Sequence, residues 1–436
     1  MIDPAVMPWL LAAVPMIGAA ASLLFWSDAE RLKQSALVWS LISIAPVIGF
    51  TGHLTMPPEG FLSLYLLPLA ALVSILGQPV QPEHRLSWVL TLAWLGLGLG
   101  ILAGGDLAGR LFLMVLLLSI IVRLSRHHTE LWPISWWGIG LFSFAILCIA
   151  LSVLTGPPVS SVASLVTCAI LLPLLPFHDG HLTVLTRLPG NLPTFIVVLL
   201  PVIGQHEVSG VLTAVPEVVA WAVGLFALIG ALYGALKALV QTRVRLLLAY
   251  GSLSLYSLVW WFLVTTREAT PRMALLVGAV GLATSGLLLG WQVIRTRYGD
   301  DVDPQAISGL AAAMPQYAVL LSLTALAAMG LPPFGVFAGF TGLLLISTHP
   351  TTIGLGLALL AWLSASWYLM QMVQQLLFGP RRPDIRYTEL LPTETAALAI
   401  VVCALLILGL APADLFTFGQ PAQTTGAFTH VLTWNR

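Results

Sequence analysis

The stretch Gly330-Leu-Pro-Pro-Phe-Gly335 lies between two apolar runs, Tyr317 to Met329 and Val336 to Ser347. A proline lacks the backbone N–H and clashes with the preceding helical turn, so a helix does not continue through the pair. Inside a membrane, the freed carbonyls and amides must be buried in protein, line a cavity or contact an ion. The stretch therefore predicts a broken membrane helix and a candidate site, formed by Gly330, Pro332, Pro333 and Gly335.

The composition is that of an all-α polytopic membrane protein. Hydrophobic residues make up 58% and charged residues 8% of the 436 residues, and the mean hydropathy is +0.96, which excludes a soluble domain of this length. The 18 Lys and Arg residues balance the 18 Asp and Glu residues, so a nucleic-acid partner has no electrostatic basis. Cys148, Cys168 and Cys403 lie in apolar runs and are interpreted as packing residues, with no metal site expected. Met1 to Pro8 lacks a positive n-region, so no cleavable signal peptide is expected.

Apolar runs long enough to cross a bilayer recur along the chain. About fourteen crossings are expected, since about 17 to 25 apolar residues span the hydrocarbon. A second broken span is expected where the run Val159–Leu175 is followed by a polar interruption and the short run Leu192–Gly204. The other predicted spans are Ala5–Trp26, Ala36–Phe50, Phe61–Leu76, Leu86–Leu102, Leu107–Leu124, Trp136–Val153, Val218–Val240, Leu246–Val264, Met273–Ile294, the pair around Gly330, Ile353–Leu377 and Ala396–Leu410.

Basic residues are concentrated in alternate loops. Arg and Lys side chains lie in the loops that contain Arg31, Arg85, Arg126 and Arg381, whereas the loops Gly52–Gly60 and Thr155–Ser160 carry no Arg or Lys. By the positive-inside rule the first loop is cytoplasmic, and the loops of Arg31, Arg126 and Arg381 share one side. The basic loop residues are Arg31, Lys33, Arg85, Arg123, Arg126, Arg381, Arg382 and Arg386.

Two polar clusters fall between spans. His127, His128 and Glu130 follow Arg126, and a solvated loop is favoured there over a metal site because adjacent histidines alone do not supply ligand geometry. The second cluster lies between Pro176 and Pro193. Its titratable side chains would relay protons or hold an anion if they lie between half-helices, or cap helix ends if they lie at the membrane surface. These side chains are His178, Asp179, His181 and Arg187.

Four motifs resemble those of the antiporter-like membrane subunits of respiratory complex I, Mrp antiporters and membrane-bound hydrogenases. They are PFH at Pro176–His178, ALVQTRVRLLLAYGSLS at Ala238–Ser254, GLAAAMP at Gly309–Pro315 and GLPPFGVFAGF at Gly330–Phe340. Their order and spacing agree with that family from about Leu107 to Leu410, and the second and fourth motifs are the specific ones.

The resemblance implies a single transmembrane domain of about fourteen helices containing two inverted five-helix repeats, each with one broken helix. On that basis residues 1–104 would be N-terminal helices, and residues 105–240 the first repeat, with its break near 176–193. Residues 241–378 would be the second repeat, with its break near 330–335, and residues 379–436 a C-terminal helix and tail.

The chain departs from the family at the residues that carry protons. An ungapped alignment places Val115 or an apolar neighbour at the family's glutamate, Val202 at its lysine, Gly281 at its histidine and Phe340 at the charged residue of the second break. Ser285 falls near a following polar position. A buried charge costs about 2.5 to 3.5 kcal/mol at a helix centre, so family members that keep one keep it for work such as proton transfer. In this chain most of the ionisable residues of the family's proton relay are therefore missing.

Three basic residues near the second motif have alternative roles. Arg243 and Arg245 stand where the family has Asp and Lys, and arginine, with a pKa above about 12, is a poor proton relay and a good membrane anchor. Lys237 either snorkels to the interface, which is favoured, or replaces the missing central lysine. A shorter ion pathway through His178, Asp179, His181, Lys237, Arg243, Arg245 and Ser285 stays open as an expectation.

Two functions follow as expectations. The resemblance implies an antiporter-like subunit that moves protons or another ion. It would belong to a complex I-related assembly, such as an NADH-quinone oxidoreductase-like or hydrogenase-like complex. The lost charges favour a non-conducting scaffold subunit instead, and a membrane subunit for inorganic-carbon uptake is a further alternative. The expected partners are the lipid bilayer, other membrane subunits and a peripheral soluble module, in a bacterial inner membrane. No cofactor motif is present, so no catalysis is expected from the chain alone.

Overall fold

A computed structural model describes residues 7–50, 58–104, 106–126, 136–267, 269–298, 309–346, 352–379 and 388–410. Within these ranges the regular structure is helical. The helices are α1 (Met7–Ser22), α2 (Ala29–Ile42), α3 (Ile44–Phe50), α4 (Pro58–Leu76), α5 (Arg85–Ala103), α6 (Asp106–Arg126), α7 (Trp136–Leu154), α8 (Val159–Leu171), α9 (Asp179–Arg187), α10 (Leu192–Val211), α11 (Glu217–Leu239), α12 (Val244–Thr266), α13 (Pro271–Tyr298), α14 (Leu310–Ala313), α15 (Pro315–Ala328), α16 (Gly335–Ile346), α17 (Thr352–Leu377) and α18 (Pro392–Leu410).

Ten helical segments of the described chain are long and apolar enough to cross a membrane. Five shorter apolar helices, of 10–17 residues, accompany them. The all-helical, multi-pass architecture expected from the composition is thus confirmed. The count of about fourteen crossings, the inverted repeats and the proposed domain boundaries remain predictions.

The chain is interrupted at both positions where prolines and glycines predict it. α15 ends at Ala328 and α16 begins at Gly335, so the apolar run around Gly330 forms two separate helices. At the other interruption α8 ends at Leu171, and the polar segment that follows forms the nine-residue helix α9. The side chains of α9 are mostly buried, so this segment is not a loop on the surface.

Two predicted spans have different limits in the structure. The run Leu192–Gly204 is not a half-helix, because α10 continues to Val211 and is long enough to cross a membrane by itself. The discontinuous segment is therefore α8 with α9. The predicted span Ala36–Phe50 begins earlier, at Ala29, because the Asp28 carboxylate accepts hydrogen bonds from the first backbone amides of α2 and caps the helix.

The central helix of the bundle is α13. Its membrane-length window is entirely buried, and it packs against α4, α10, α12, α15, α16 and α18. Between Met273 and Ile294 it carries no ionisable side chain. Any route through the middle of the protein therefore passes an apolar helix.

Contacts between helix ends place several loops on one side of the bundle. The Arg85 guanidinium donates to Ser27 O at 3.1 Å, which joins the start of α5 to the start of α2. α6 packs antiparallel to α5, and Trp94 Nε1 of α5 donates to Ser119 Oγ of α6 at 2.8 Å. The end of α6, at Arg126, therefore lies on the same side of the bundle as the start of α5. We call this end of the bundle the basic side. The arrangement agrees with the prediction that Arg31 and Arg126 share a side.

Several predictions concern residues that lie outside the described ranges. These are the cluster of His127, His128 and Glu130, the basic residues Arg381, Arg382 and Arg386, and the tail after Leu410.

Candidate functional site

The predicted ion-pathway residues of the first break form an outer cluster at the start of α9. His178 Nδ1 lies 3.3 Å from Pro176 O, and His178 Nε2 lies 3.8 Å from Asp179 Oδ1. The His178 ring stands edge-on to Tyr233 of α11, with 5.5 Å between ring centroids, and Tyr233 meets Tyr250 of α12 in the same way at 6.0 Å. His178 is buried, whereas the Asp179 carboxylate is partly exposed. The cluster is therefore buried at His178 and exposed at Asp179.

An inner step lies one helical turn further along α9. His181 is almost fully buried, and its Nε2 lies 2.9 Å from Ser252 Oγ of α12. The Ser252 hydroxyl also reaches Ala249 O at 3.0 Å. The His181 ring stands edge-on to Tyr256 at 6.0 Å. The contact of His181 with Ser252 is thus the buried end of a polar cluster that begins at His178.

The basic residues around the second motif lie at the edge of this cluster. Lys237 is exposed, with its Nζ 5.7 Å from the Tyr233 ring centroid, a position that suits a snorkelling side chain. Arg243 is the exposed residue that precedes α12. Arg245 Nη1 donates to Thr186 O at 3.1 Å and so fixes the end of α9 to the start of α12. Both arginines lie at helix ends and take no part in the buried contact of His181 with Ser252.

Beyond Ser252 the buried polar side chains carry hydroxyls and no charge, among them Ser254, Tyr256 and Ser257. Val202 is fully buried, and a Cβ on Gly281 would lie 3.2 Å from Val198 Cα and 3.3 Å from the Tyr256 hydroxyl. α10 and α13 therefore touch at this depth. Ser285, one turn further along α13, is fully buried, and its hydroxyl has no hydrogen-bond partner among the described residues. The structure does not bring Ser285 into the His181 cluster.

The second break is closed by aromatic side chains. Gly330 has a φ of +73°, and a Cβ there would lie 2.0 Å from Trp362 of α17, so only glycine fits this turn. Trp362 stacks on Phe340 of α16, with 3.6 Å between centroids and 25° between planes. Phe340 is buried and also meets Phe262 of α12 edge-on at 5.8 Å. The position aligned with a charged residue of the family thus holds a packed aromatic cluster.

Val115 does not occupy the interior position that the alignment assigns to it. Its residue surface is 52% exposed, on the outer face of α6. The neighbouring positions that are buried there, Leu116 and Leu117, are apolar. The residue that the ungapped alignment pairs with the family's glutamate therefore lies on the exposed face of α6. The buried face at this level is formed by Leu116 and Leu117.

A buried polar network on the basic side was not singled out from the sequence. Lys33 Nζ donates to Leu76 O at 3.2 Å and to Gln78 O, both at the end of α4. Gln78 Oε1 accepts from Trp88 Nε1 and from Asn191 N, each at 3.1 Å. Asn191 Nδ2 donates to two further hydroxyls, Ser74 Oγ at 3.2 Å and Thr91 Oγ1 at 2.8 Å. Lys33, Gln78 and Asn191 lie just outside the predicted apolar runs, so the sequence pattern assigned them to loops and gave no signal for this network.

A buried ion pair lies near this network. Arg297 at the end of α13 donates to Glu394 Oε2 at 2.6 Å, and Glu394 also accepts from Leu391 N at 2.8 Å. The Glu394 side chain is only 2% exposed. The pair joins the central helix to α18. Within the described ranges, no group of three His, Cys, Asp or Glu side chains has the placement to hold a metal ion.

The fold and these sites define a polytopic helical membrane protein with two interrupted segments, the first holding buried histidines and the second an aromatic cluster. Residues 136–366 match the family described as "NADH:quinone oxidoreductase/Mrp antiporter, TM", and the chain belongs to this family. The resemblance of the four motifs to antiporter-like subunits is thereby confirmed.

Individual relatives agree with this assignment. NADH-quinone oxidoreductase subunit M of Pseudomonas aeruginosa is 26% identical over 233 residues, which cover 49% of this chain and 45% of that protein. The match therefore spans about half of each chain. Two solved complexes contain similar folds. A chain of respiratory complex I from Thermus thermophilus has a TM-score of 0.78 at 21% identity, covering 94% of this chain and 96% of that one. A chain of the archaeal membrane-bound sulfane sulfur reductase has a TM-score of 0.79 at 16% identity, covering 94% and 95%.

Proposed function

We propose that this chain is an antiporter-like membrane subunit of a complex I-related assembly, in which it seals and positions neighbouring membrane subunits without completing a proton path of its own. Family membership supports the antiporter-like assignment. The similar solved chains come from multisubunit respiratory complexes, which supports other membrane subunits and a peripheral soluble module as partners. The proposed location is a bacterial inner membrane.

The observation that carries the non-conducting assignment is the apolar character of α13. This helix is buried along its membrane-length window and has no ionisable side chain from Met273 to Ile294. Proton transfer needs titratable groups, or waters held by polar groups, within hydrogen-bond reach of one another. The tight approach of Gly281 to Val198 leaves no room for water between α10 and α13 there. The stacked pair of Phe340 and Trp362 fills the second break in the same manner.

A second candidate function is conduction by a shorter route, and the cluster at α9 favours it. His178 and His181 lie on successive positions of one helical face, and His181 meets the hydroxyl of Ser252 at 2.9 Å. Buried titratable side chains inside a membrane are costly and mark functional sites in many proteins. If this route conducts, His181 is its innermost histidine, and the polar groups between it and Gly281 are the hydroxyls of Ser252 and Tyr256.

The test is proton flux in proteoliposomes containing the complete host assembly, followed with a pH-sensitive dye. His181→Asn keeps a hydrogen-bonding amide near Ser252 but cannot carry a proton between two ring nitrogens. His178→Ala and Lys237→Ala remove the outer members of the same route. We expect flux within twofold of the wild type in all three variants. His84→Ala, at the N-terminus of α5 and outside the proposed route, is the histidine control.

A tenfold loss of flux in His181→Asn, with His84→Ala unaffected, would overturn the non-conducting proposal and establish the shorter route. Assembly content is measured in parallel by counting co-purified subunits. A variant that loses the assembly has lost the sealing function, which is a different result from a fully assembled complex that no longer moves protons.

A further inference from the structure

Two side-chain amides of the buried network on the basic side each have one polar atom that the network does not satisfy. Gln78, just after α4, and Asn191, just before α10, are fully buried, and Asn191 N donates to Gln78 Oε1 at 3.1 Å. Within the described part of the chain, Gln78 Nε2 and Asn191 Oδ1 have no hydrogen-bond partner. Buried polar atoms of this kind are costly and are commonly satisfied by ordered water.

The orientation of the Gln78 amide is fixed by its partners. Trp88 Nε1 and Asn191 N both contact its Oε1, and each of these groups can only donate. The amide nitrogen therefore cannot exchange places with the oxygen. It lies against the turn that precedes α10, where an added Cβ on Gly190 would be 2.8 Å from it. Gln78 thus presents a free donor beside the start of α10.

The orientation of the Asn191 amide is fixed in the same way. Its Nδ2 lies 3.2 Å from Ser74 Oγ and 2.8 Å from Thr91 Oγ1. Both hydroxyls donate their own protons to backbone carbonyls, so they accept from Asn191. Exchanging the amide oxygen and nitrogen would bring acceptors together with no proton between them. Asn191 Oδ1 is therefore an acceptor that needs a donor.

The Ser285 hydroxyl of α13 is a third fully buried atom that has no hydrogen-bond partner among the described residues. Leu66 of α4 lies against Gly278 of α13. Further along both chains by the same number of residues, Gly77 lies against Leu289, so α4 and α13 run side by side in one direction. Ser285 is about two turns from Gly278 and about one turn from Leu289, so all three share one helix face. Ser285 therefore faces α4 at the level of its last turn.

From these observations we infer that the basic side of the bundle holds a buried water site between α4, α10 and α13. The bound water accepts a hydrogen bond from Gln78 Nε2 and donates one to Asn191 Oδ1, with Ser285 Oγ as a further partner. A bare metal cation cannot accept from an amide N–H, and an anion without a proton cannot donate to an amide oxygen. Water does both, and a buried water makes about three hydrogen bonds. The full burial of all three side chains suits about one or two water molecules and excludes a larger solute.

The water site ends one helical turn short of the tight contact between α10 and α13. A Cβ on Gly281, which precedes Ser285 by one turn, would lie 3.2 Å from Val198 Cα. Water that enters from the basic side is therefore stopped at the level of Gly281. The inference does not depend on whether the chain conducts through α9.

The experiment is X-ray hydroxyl-radical footprinting of the purified full chain in detergent. Radicals formed from a bound water oxidise the side chains around it, and mass spectrometry measures the rate for each residue. Trp88 is fully buried and donates to Gln78, whereas Trp94, on the same helix and equally buried, donates to Ser119. We expect Trp88 to be oxidised at least fivefold faster than Trp94. Equal rates in the wild type would overturn the inference, and this comparison needs no variant.

A substitution in α13 tests the third partner. Ser285→Ala removes one partner of the water and no side-chain hydrogen bond found within the described ranges, so the variant should keep its melting temperature, and oxidation of Trp88 should fall at least threefold. Ser257→Ala is the matched control, because Ser257 is also fully buried and its hydroxyl also has no partner among the described residues. Ser257 lies on α12 against Gly230, away from the water site. Unchanged oxidation of Trp88 in Ser285→Ala, or an equal fall in both variants, would contradict the site as assigned.

Discussion

The hydroxyl of Tyr256 replaces a backbone hydrogen bond that Pro201 removes from α10. Pro201 lies four residues after Val197 and has no N–H to donate to the Val197 carbonyl. The fully buried Tyr256 donates to that carbonyl instead, at 2.9 Å. Tyr256→Phe leaves the carbonyl without a partner in an apolar interior. We expect the free energy of unfolding to fall by about 1 to 2 kcal/mol.

The assay is reversible denaturant unfolding of the full chain in detergent, followed by tryptophan fluorescence. The same substitution is repeated in a Pro201→Ala background, where the restored amide of residue 201 can pair with the Val197 carbonyl. There Tyr256→Phe should cost less than about 0.5 kcal/mol, because the carbonyl keeps a backbone partner. The cost of Tyr256→Phe in the wild type minus its cost in Pro201→Ala measures how far the Tyr256 hydroxyl replaces the missing backbone hydrogen bond.

Tyr317→Phe is the matched control. Tyr317 is also fully buried, and its hydroxyl donates to a backbone carbonyl, Gly290 O, at 3.2 Å. No proline follows Gly290 in α13, which continues to Tyr298, so that carbonyl retains its helical partner. We expect a cost of about 0.6 kcal/mol. If the two tyrosine variants cost the same, or if Pro201→Ala leaves the cost of Tyr256→Phe unchanged, the reasoning is refuted.

Three other substitutions test the packing around the breaks and the basic side. Arg297→Met removes the cation that hydrogen-bonds the buried Glu394 carboxylate and should lower stability by about 3 to 5 kcal/mol, measured by denaturant unfolding; a cost below about 1 kcal/mol would contradict a buried pair. Gly330→Ala places a methyl group against Trp362 at a positive φ, so the monodisperse fraction in size-exclusion chromatography should fall at least tenfold, while an unchanged elution profile would contradict the tight turn. Asn191→Ala removes two side-chain hydrogen bonds and should lower the free energy of unfolding by about 1 to 3 kcal/mol, and an effect within 0.3 kcal/mol would show that those bonds contribute nothing.

The two breaks were predictable from the sequence because their causes are local. The pair Pro332–Pro333 removes adjacent amide donors, and the left-handed Gly330 admits a turn that a side chain would block. The prolines at 176, 189 and 193 act in the same way around α9. The class of protein followed from composition, since an apolar fraction of 58% leaves too few polar residues for a soluble surface.

Positions that depend on neighbouring helices were not predictable. Val115 faces outward because the packing of α5 and α7 fixes the rotation of α6, which an ungapped alignment does not contain. The early start of α2 depends on the Asp28 cap, which lies outside the apolar run used to find the span. The burial of Lys33 and Glu394 depends on α4 and α13, which are distant in sequence. Hydropathy alone assigns such charges to loops.

Four side-chain donors near the breaks and helix ends donate to backbone carbonyls that lack a helical partner. Trp260 Nε1 donates to Leu172 O, just after α8 ends, at 2.9 Å. Lys33 and Arg245 do the same at the ends of α4 and α9, and Tyr256 does so opposite Pro201. A membrane interior requires such partners, so these side chains are explained by the fold and need no part in ion transfer.

His181 differs from these donors in a way that matters for function. Its contact at 2.9 Å is a side-chain hydroxyl, Ser252 Oγ, and not a carbonyl freed by a helix end. Ser252 already has its own helical acceptor, Ala249 O, so His181 supplies nothing that the backbone lacks. The structural need that accounts for Lys33, Arg245 and Tyr256 therefore does not account for His181. His181 is therefore the side chain whose placement the shorter route through α9 would explain, and the proton flux of His181→Asn tests that route.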